Sequence, residues 1–205
     1  MISIERGLGG RVYQIWKQQQ VCSCGVACAW MARGIAKQVS LAEEEWELAQ
    51  RIYLGSVNSA LAAANTIPSA PMTVAPLAYR STPGSQLQNN FSSNFSRAGL
   101  TCTQLANALR NDGLRVTVLS NNGSPTPVVA NSIAYNKPGI SFVKWPDRVN
   151  PGDGGAHFVV VGRCTAHHVT FLDPWTGHIR EQPNDGNFSA SYNAGIILEN
   201  LYISA

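Results

Sequence analysis

Three residues of this chain have side chains suited to nucleophilic acyl transfer. Cys24 lies at the start of an apolar segment, His157 precedes the run Phe-Val-Val-Val, and Asp173 precedes Pro-Trp-Thr-Gly. A thiolate can attack a carbonyl carbon, an imidazole can accept and return protons, and a carboxylate can orient the imidazole. Together they predict a thiol-dependent catalytic site that needs no metal and no organic cofactor.

The element that begins at Cys24 favours a reactive thiol. Residues 24–37 are almost wholly apolar, which is typical of a helix buried on most of its surface. Unpaired N–H groups and the helix dipole favour a thiolate at a helix N-terminus. A second helix is predicted over residues 40–54, because Ser40-Leu-Ala-Glu43 fits a capping box. A third helix is capped by Thr101 or Thr103 and ends at Gly113.

The other two residues belong to a half of the chain that we predict to be mainly an antiparallel sheet. Short β-branched or aromatic runs indicate strands at residues 115–119, 140–145, 158–161 and 169–172. If the last two runs form a hairpin about Thr165, His157 and Asp173 lie directly opposite each other. Their Cβ atoms would then be about 5 Å apart on one face of the sheet.

Composition excludes several classes of protein. Only 13% of the residues are charged, and the net charge of +3 is spread without a basic cluster, so no nucleic-acid partner is expected. No apolar stretch is long enough for a membrane span. The N-terminus lacks the pattern of a Sec signal, so we expect a cytoplasmic protein as synthesised, with export by a specialised system left open.

Two parts of the sequence carry a family resemblance. The segment from Gln18 to Cys28 resembles the nucleophile segment of the double-glycine (bacteriocin-processing) peptidases of the papain-like superfamily, in which a Gln lies six residues before the catalytic Cys. The runs that begin at His157 and Asp173 are similar to that family's His-Phe-Val-Val and Asp-Pro segments. The resemblance implies that Cys24 is the nucleophile, His157 the general base and acid, Asp173 the orienting carboxylate and Gln18 an oxyanion donor.

The resemblance also implies a fold. We expect an α+β, papain-like structure with the N-terminal nucleophile helix packed on a C-terminal antiparallel β-sheet. Residues 1–205 are expected to form a single peptidase domain. Within it we predict a flexible N-terminal tail at 1–14, a mainly helical half at 15–113 and a mainly sheet half at 114–205. The Pro-rich stretch 56–96 has no counterpart in the family and is predicted to be rich in loops.

The expected partner is a protein or peptide substrate, cut after small residues such as Gly-Gly. Trp145 and Trp175 are predicted to bind substrate by narrowing the cleft, since both lie near strand ends that flank the site. Gly155 is predicted to border the cleft in a glycine-rich loop that permits positive φ. Gly10 is a candidate for self-cleavage. A secreted bacterial effector or toxin would fit such a peptidase, and a delivery or immunity partner is unknown.

Several alternatives stay open. Cys22 could replace Cys24 as nucleophile, whereas Cys28 is expected in the core. A zinc site at these three cysteines is disfavoured, because no second ligand pair has the required spacing. A peptidoglycan amidase would use a similar Cys and His pair. A peptidase-like binding module would not need nucleophile, base, orienting acid and oxyanion donor together.

Overall fold

The structure, a computed structural model, is a mixed α/β arrangement of three helices and an antiparallel sheet. It describes residues 1–39, 43–52, 91, 99–120, 137–145, 155–184, 191–193 and 195–204. The helices are α1 (Cys24–Lys37), α2 (residues 45–52) and α3 (Cys102–Asn111). Within this part of the chain, no helix combines the length and apolar character that a membrane span requires.

Nine strands are described. They are β1 (Ile2–Arg6), β2 (Val12–Trp16), β3 (Arg115–Ser120), β4 (Gly139–Lys144), β5 (Ala156–Cys164), β6 (His168–Asp173), β7 (His178–Pro183), β8 (Ser191–Tyr192) and β9 (Gly195–Ser204). The main sheet has the order β3-β9-β4-β5-β6-β7, every pair is antiparallel, and β8 pairs with β9. The predicted antiparallel sheet in the second half of the chain is therefore confirmed. Strands β5 and β6, which carry the histidine and the aspartate, are neighbours in it.

Helix α1 has the predicted bounds. Its residues are buried on nearly all sides, because it packs against both β5 and β2. The helix ends where Gln38 adopts a left-handed φ of 56° and donates its N–H to the carbonyl of Gly34. A helix enclosed in this way holds its first residue, Cys24, in a fixed position relative to the sheet.

The second helix begins later than the capping box at Ser40 predicts. Its described part covers residues 45–52, and Glu43 is not helical; the remaining predicted residues lie outside the described part of the chain. The carboxylate of Glu43 pairs instead with Arg33 and with Arg51, each at 2.7 Å. Glu43 is therefore not the third residue of a helix that starts at Ser40, whereas Ser40 itself lies outside the described residues.

The third helix has the predicted limits. The hydroxyl of Thr101 accepts the N–H of Gln104 at 3.2 Å, and the Gln104 side chain accepts the N–H of Thr101 at 2.9 Å. This reciprocal pair is a capping box. Gly113, with a φ of 81°, follows the last turn as predicted.

The predicted flexible tail at residues 1–14 is wrong, since these residues belong to the β1–β2 hairpin. The polar residues of β1 hold the hairpin to the turn before β7 and to β7 itself. Ser3 donates its hydroxyl to the carbonyl of Gly177 at 2.5 Å, and the Glu5 carboxylate accepts the N–H of Ile179 at 2.8 Å. Polar side chains make these contacts while the isoleucines of β1 are exposed, so hydrophobic patterning gives no sign of the attachment.

Two apolar clusters lie on the two faces of the main sheet. Phe158 and Val160 of β5 belong to the cluster that contains α1. Val159 and Val161 belong to a second cluster with residues of β4, β6, β8 and β9. Alternate residues of β5 therefore serve opposite faces, which is the strand periodicity expected of a sheet buried on both sides.

Candidate active site

The register of β5 and β6 determines where the histidine and the aspartate lie. Val160 pairs with Leu172 and Val161 with Phe171, so His157 is offset by two residues from the position opposite Asp173. The predicted direct pairing is therefore wrong. An offset of two residues keeps both side chains on the same face, because side-chain direction repeats every second residue. Diagonal neighbours of this kind remain within reach of each other.

A β-bulge sets this register. The pairing shifts by one residue between Val161 and Arg163, at Gly162. Without the shift, the register next to the turn would continue along both strands and would turn the histidine and the aspartate to opposite faces. A Cβ at Gly162 would lie 2.7 Å from Cε1 of Tyr13, so a side chain there would collide with the ring. Packing of Gly162 against Tyr13 thus helps to set the register of β5 and β6, and with it the relative positions of His157 and Asp173.

The His157 and Asp173 side chains are hydrogen-bonded and largely buried. Nε2 of His157 lies 2.8 Å from Oδ1 of Asp173. The same carboxylate accepts the N–H of Trp175 at 2.8 Å and the hydroxyl of Tyr192 at 2.9 Å. Burial alone would raise the pKa of Asp173, but these hydrogen bonds and the charge of His157 hold it below its usual value.

The protonation of His157 follows from its neighbours. Burial of the ring lowers its pKa, but the hydrogen bonds and negative charges of Asp173 and Cys24 outweigh burial and raise the pKa to about 9. Because Nε2 faces Asp173, Nδ1 is the nitrogen left for Cys24. Asp173 and Cys24 therefore favour the protonated, imidazolium form of His157 at neutral pH.

Cys24 is the first residue of α1 and is 7% exposed. The Ser23 hydroxyl does not cap the helix, because it is bonded to the backbone of Gln20, 3.1 Å away. The first turn also has no acidic residue. The positive end of the α1 dipole therefore acts on Cys24 without a neighbouring anion from its own helix.

The side-chain amide of Gln18 is bound to two backbone carbonyls. Its Nε2 donates to the carbonyls of Gln20 at 2.8 Å and Val21 at 2.9 Å. Gln18 is not one of the described residues that line the cavity around Cys24. As an oxyanion donor it would have to exchange one of these bonds for the substrate, and its role stays a prediction.

The predicted triad residues meet in one cavity of about 530 Å³. Cys24, His157 and Asp173 line it, together with all three predicted substrate-binding residues. The rings of Trp145 and Trp175 lie 6.2 and 6.5 Å from the His157 ring, centroid to centroid. Both tryptophans thus flank the histidine.

Gly155 borders the cavity for a different reason from the predicted one. Its φ is not in the left-handed region, and a Cβ there would meet no atom of the described residues within 4 Å. Gly155 is therefore next to open space, and its backbone conformation does not require a positive φ. The rest of the glycine-rich segment, residues 151–154, lies outside the described residues.

The other cysteines differ in their surroundings. Cys28 is fully buried, and burial raises the pKa of its thiol well above the usual value, which confirms its place in the core. Cys22 lines the same cavity as Cys24. In the described part of the chain, no group of three or more His, Cys, Asp or Glu side chains is placed to hold a metal ion.

Gly10 lies away from this cavity. It has a φ of 82° in the turn of the β1–β2 hairpin and lines a second cavity together with Trp30 and Gly34 of α1. The ten helical steps from Cys24 to Gly34 span about 15 Å. A molecule could therefore cut its own chain after Gly10 only if the hairpin left its place.

Sequence reasoning missed two residues that support the site. Tyr192 binds Asp173 from β8, and no local pattern connects these two positions. Glu45 is fully buried and accepts the indole N–H of Trp16 at 2.7 Å and the backbone N–H of Gln19 at 2.9 Å. Burial raises the pKa of Glu45. Its helical spacing with the buried Leu48, three residues on, was a signal that this glutamate faces inward.

Comparisons with known proteins return no match: no protein-family model fits the chain, and no curated protein is similar to it. The residues and their geometry therefore carry the functional argument.

Proposed function

We propose that this protein is a cysteine peptidase of papain-like architecture that hydrolyses peptide bonds through Cys24, His157 and Asp173. The observation that carries the proposal is the 2.8 Å hydrogen bond from His157 to a buried Asp173, in the same cavity as a cysteine at an uncapped helix start. A structural cysteine or histidine needs none of these features. Their coincidence is the arrangement that thiol catalysis requires.

Acylation begins from a thiolate on Cys24 and an imidazolium on His157. The sulfur attacks the carbonyl carbon of the scissile bond, and a C–S bond forms. As the C–N bond breaks, the proton on Nδ1 of His157 moves to the leaving nitrogen. The products of this step are a thioester on Cys24, a free amine and a neutral imidazole.

Deacylation uses the same groups in reverse. Nδ1 of His157 takes a proton from water while the water oxygen attacks the thioester carbonyl. The C–S bond breaks, the carboxylic acid is released, and the thiolate and imidazolium are regenerated. Asp173 keeps its hydrogen bond to Nε2 throughout, which holds the ring in one orientation.

The developing oxyanion needs hydrogen-bond donors close to the sulfur. The backbone N–H of Cys24 is one candidate, because Ser23 does not cap the start of α1. The side chain of Gln18 is the second, once substrate displaces one of its two carbonyl acceptors. Loss of one such donor typically costs a factor of about 10²–10³ in rate.

Small residues before the cut are also part of the proposal. Leu100 and Phe158 pack directly against Gly25, where an added Cβ would lie 3.3 Å from each of them. Leu100 and Phe158 also line the cavity with Cys24, and we infer that this apolar wall disfavours a branched side chain on the acyl part of a substrate. Trp145 and Trp175 flank His157 and are expected to narrow the cleft further.

The test is hydrolysis of a defined peptide mixture, followed by mass spectrometry of the products. The mixture contains decapeptides with a central Gly-Gly and decapeptides with a central Leu-Leu. The wild type is expected to cut after Gly, and Cys24→Ala to be inactive at equal folded content. Cys28→Ala and Cys22→Ser, as matched cysteine controls, are expected to keep at least part of the activity.

Three results would contradict the proposal. An active Cys24→Ala with an inactive Cys22→Ser would move the nucleophile. Release of muropeptides from peptidoglycan without cleavage of any peptide in the mixture would favour an amidase. Peptide binding without turnover by the wild type would indicate a binding module.

A further inference from the structure

Arg180 is a cation in the cavity that the proposed mechanism does not use. It lies on β7 opposite Phe171 and lines the cavity that contains Cys24. Its guanidinium carbon sits 5.8 Å from the centre of the Tyr192 ring, which is a cation–π distance. The ring thus holds the guanidinium at the cavity wall.

No carboxylate of the described residues neutralises this charge. The ion pairs within 4.0 Å in that part of the chain involve Arg33, Arg51, His157 and His178, but not Arg180. Asp173, the acidic residue of the cavity wall, already binds three other groups. Within the described part of the chain, the N–H groups of Arg180 therefore remain available to a ligand.

The contacts place Arg180 on one particular side of the proposed reaction centre. Asp173 and Cys24 lie at different nitrogens of the His157 ring, because Asp173 binds Nε2 while Nδ1 faces the thiol. Tyr192 binds the far oxygen of Asp173, and Arg180 stacks on Tyr192. Arg180 is thus connected to the reaction centre on the histidine side, with His157, Asp173 and Tyr192 forming the contacts between it and Cys24.

That side must receive the leaving part of the substrate. The leaving nitrogen takes its proton from His157, so the chain that follows the scissile bond has to pass over the histidine. The acyl part stays on Cys24, where Leu100 and Phe158 form the wall. Residues beyond His157 therefore contact the segment after the cut.

We propose that Arg180 binds a carboxylate on the leaving side of the substrate, so that the enzyme prefers peptides with an acidic group shortly after the cut. A planar guanidinium matches a carboxylate in geometry and charge, and stacking on an aromatic face leaves its edge free to donate hydrogen bonds. The carboxylate can belong to an acidic side chain or to the C-terminus of the peptide. This inference rests on the proposed function.

The experiment compares decapeptides that contain a central Gly-Gly. One series carries Glu, Gln or Lys at each of the three positions after the expected cut. A shorter series ends three residues after the cut, as the free acid or as the amide. We expect the wild type to prefer Glu over Gln about fivefold in kcat/KM, near the upper end for an exposed ion pair. High salt should reduce this preference.

Variants assign the preference to one side chain. Arg180→Gln is expected to lower the Glu/Gln ratio to about one, and Arg180→Glu to favour Lys over Glu. Arg115→Gln is the matched control, because Arg115 is an exposed arginine on β3, at the opposite edge of the sheet. It should leave the ratio unchanged. A preference confined to the free-acid peptides would identify the C-terminal carboxylate as the ligand.

Binding measurements separate this inference from the proposed function. Cys24→Ala, which cannot form a thioester, is titrated with the Glu and Gln peptides, and we expect about fivefold tighter binding of the Glu peptide. Equal binding and equal turnover of the two peptides would overturn the role of Arg180 while leaving the peptidase proposal intact. Selective binding that depends on Arg180, without hydrolysis by the wild type, would overturn the peptidase proposal alone. A Glu preference that survives in Arg180→Gln would also overturn the inference.

Discussion

Replacing Asp173 separates the orienting role of this carboxylate from its charge. Asp173→Asn keeps an oxygen that can accept a hydrogen bond from His157, whereas Asp173→Ala removes all acceptors. In both variants the negative charge that helps to raise the pKa of His157 to about 9 is lost. We therefore expect both variants to be impaired at neutral pH, and Asp173→Asn to be the milder one.

The magnitudes follow from the structure. A His157 pKa of about 9 in place of 6.5 corresponds to about 3 kcal/mol in favour of the imidazolium. If the pKa returned to 6.5, the imidazolium fraction at pH 7 would fall to about one quarter. Asp173→Ala also leaves the Trp175 N–H and the Tyr192 hydroxyl without their acceptor. The expected cost is about 2–4 kcal/mol of unfolding free energy, against about 1 kcal/mol for Asn.

The assay is kcat/KM as a function of pH for the three proteins, together with urea unfolding at pH 7. Near pH 5.5 a histidine with a pKa of 6.5 is again mostly imidazolium, so the loss that remains there does not come from the protonation state of His157. We expect Asn to recover most of the activity there and Ala to recover little. Equal and complete loss with both substitutions would show that the charge itself is essential. Unchanged activity with either one would remove Asp173 from the site.

Three further predictions concern pH and packing. The raised pKa of His157 predicts that activity declines as pH rises through about 9, which rate profiles of the wild type measure. The stability contributed by its imidazolium, present in full below pH 6.5, should be lost over the same rise in pH, which urea unfolding of wild type against His157→Gln measures. Burial raises the pKa of Glu45, so the free energy of unfolding of the wild type should fall relative to that of Glu45→Gln as pH rises above 4.5. An equal pH dependence of the unfolding free energy in the two proteins would contradict this. Gly162→Val should cost about 1–3 kcal/mol because of the Tyr13 ring, whereas Gly155→Ala, which meets open space, should change thermal stability little.

Elements with local signals could be predicted from the sequence. The buried helix from Cys24 to Lys37 follows from an apolar run, and the third helix follows from the Thr101 cap and from Gly113. Strands β5 and β6 follow from runs of β-branched residues that are bounded by polar residues. In each of these elements, nearby residues determine the backbone conformation.

Features that depend on distant contacts could not be predicted. The offset of His157 relative to Asp173 depends on a bulge at Gly162, which packs against Tyr13 from the other end of the chain. The partner of Asp173 on its far side, Tyr192, comes from β8 and has no sequence motif. The turn position alone therefore predicted correctly that His157 and Asp173 lie on the same face of the sheet. The predicted register of β5 against β6 was wrong.

The N-terminal hairpin and β9 were missed for a related reason. The hairpin contacts β7 and the turn before it through Ser3 and Glu5, while the isoleucines of β1 are exposed. The sequence of β1 therefore lacks the buried apolar face that would have indicated a strand packed on the domain. Strand β9 (Gly195–Ser204) lies between β3 and β4, next to the edge strand of the sheet, yet its sequence places polar residues among apolar ones. One of them, Asn200, is buried and receives a hydrogen bond from Ser141 at 2.6 Å.

Alkylation at pH 6 tests whether His157 activates the thiol of Cys24. Wild type and His157→Ala are treated with limiting iodoacetamide, and the labelled peptides are quantified by mass spectrometry. Cys22 is more exposed than Cys24, so accessibility alone would favour labelling of Cys22. The proposed mechanism predicts that the label goes first to Cys24 in the wild type and that this labelling is lost in His157→Ala. Labelling of Cys22 first, or equal labelling of Cys24 in both proteins, would contradict it.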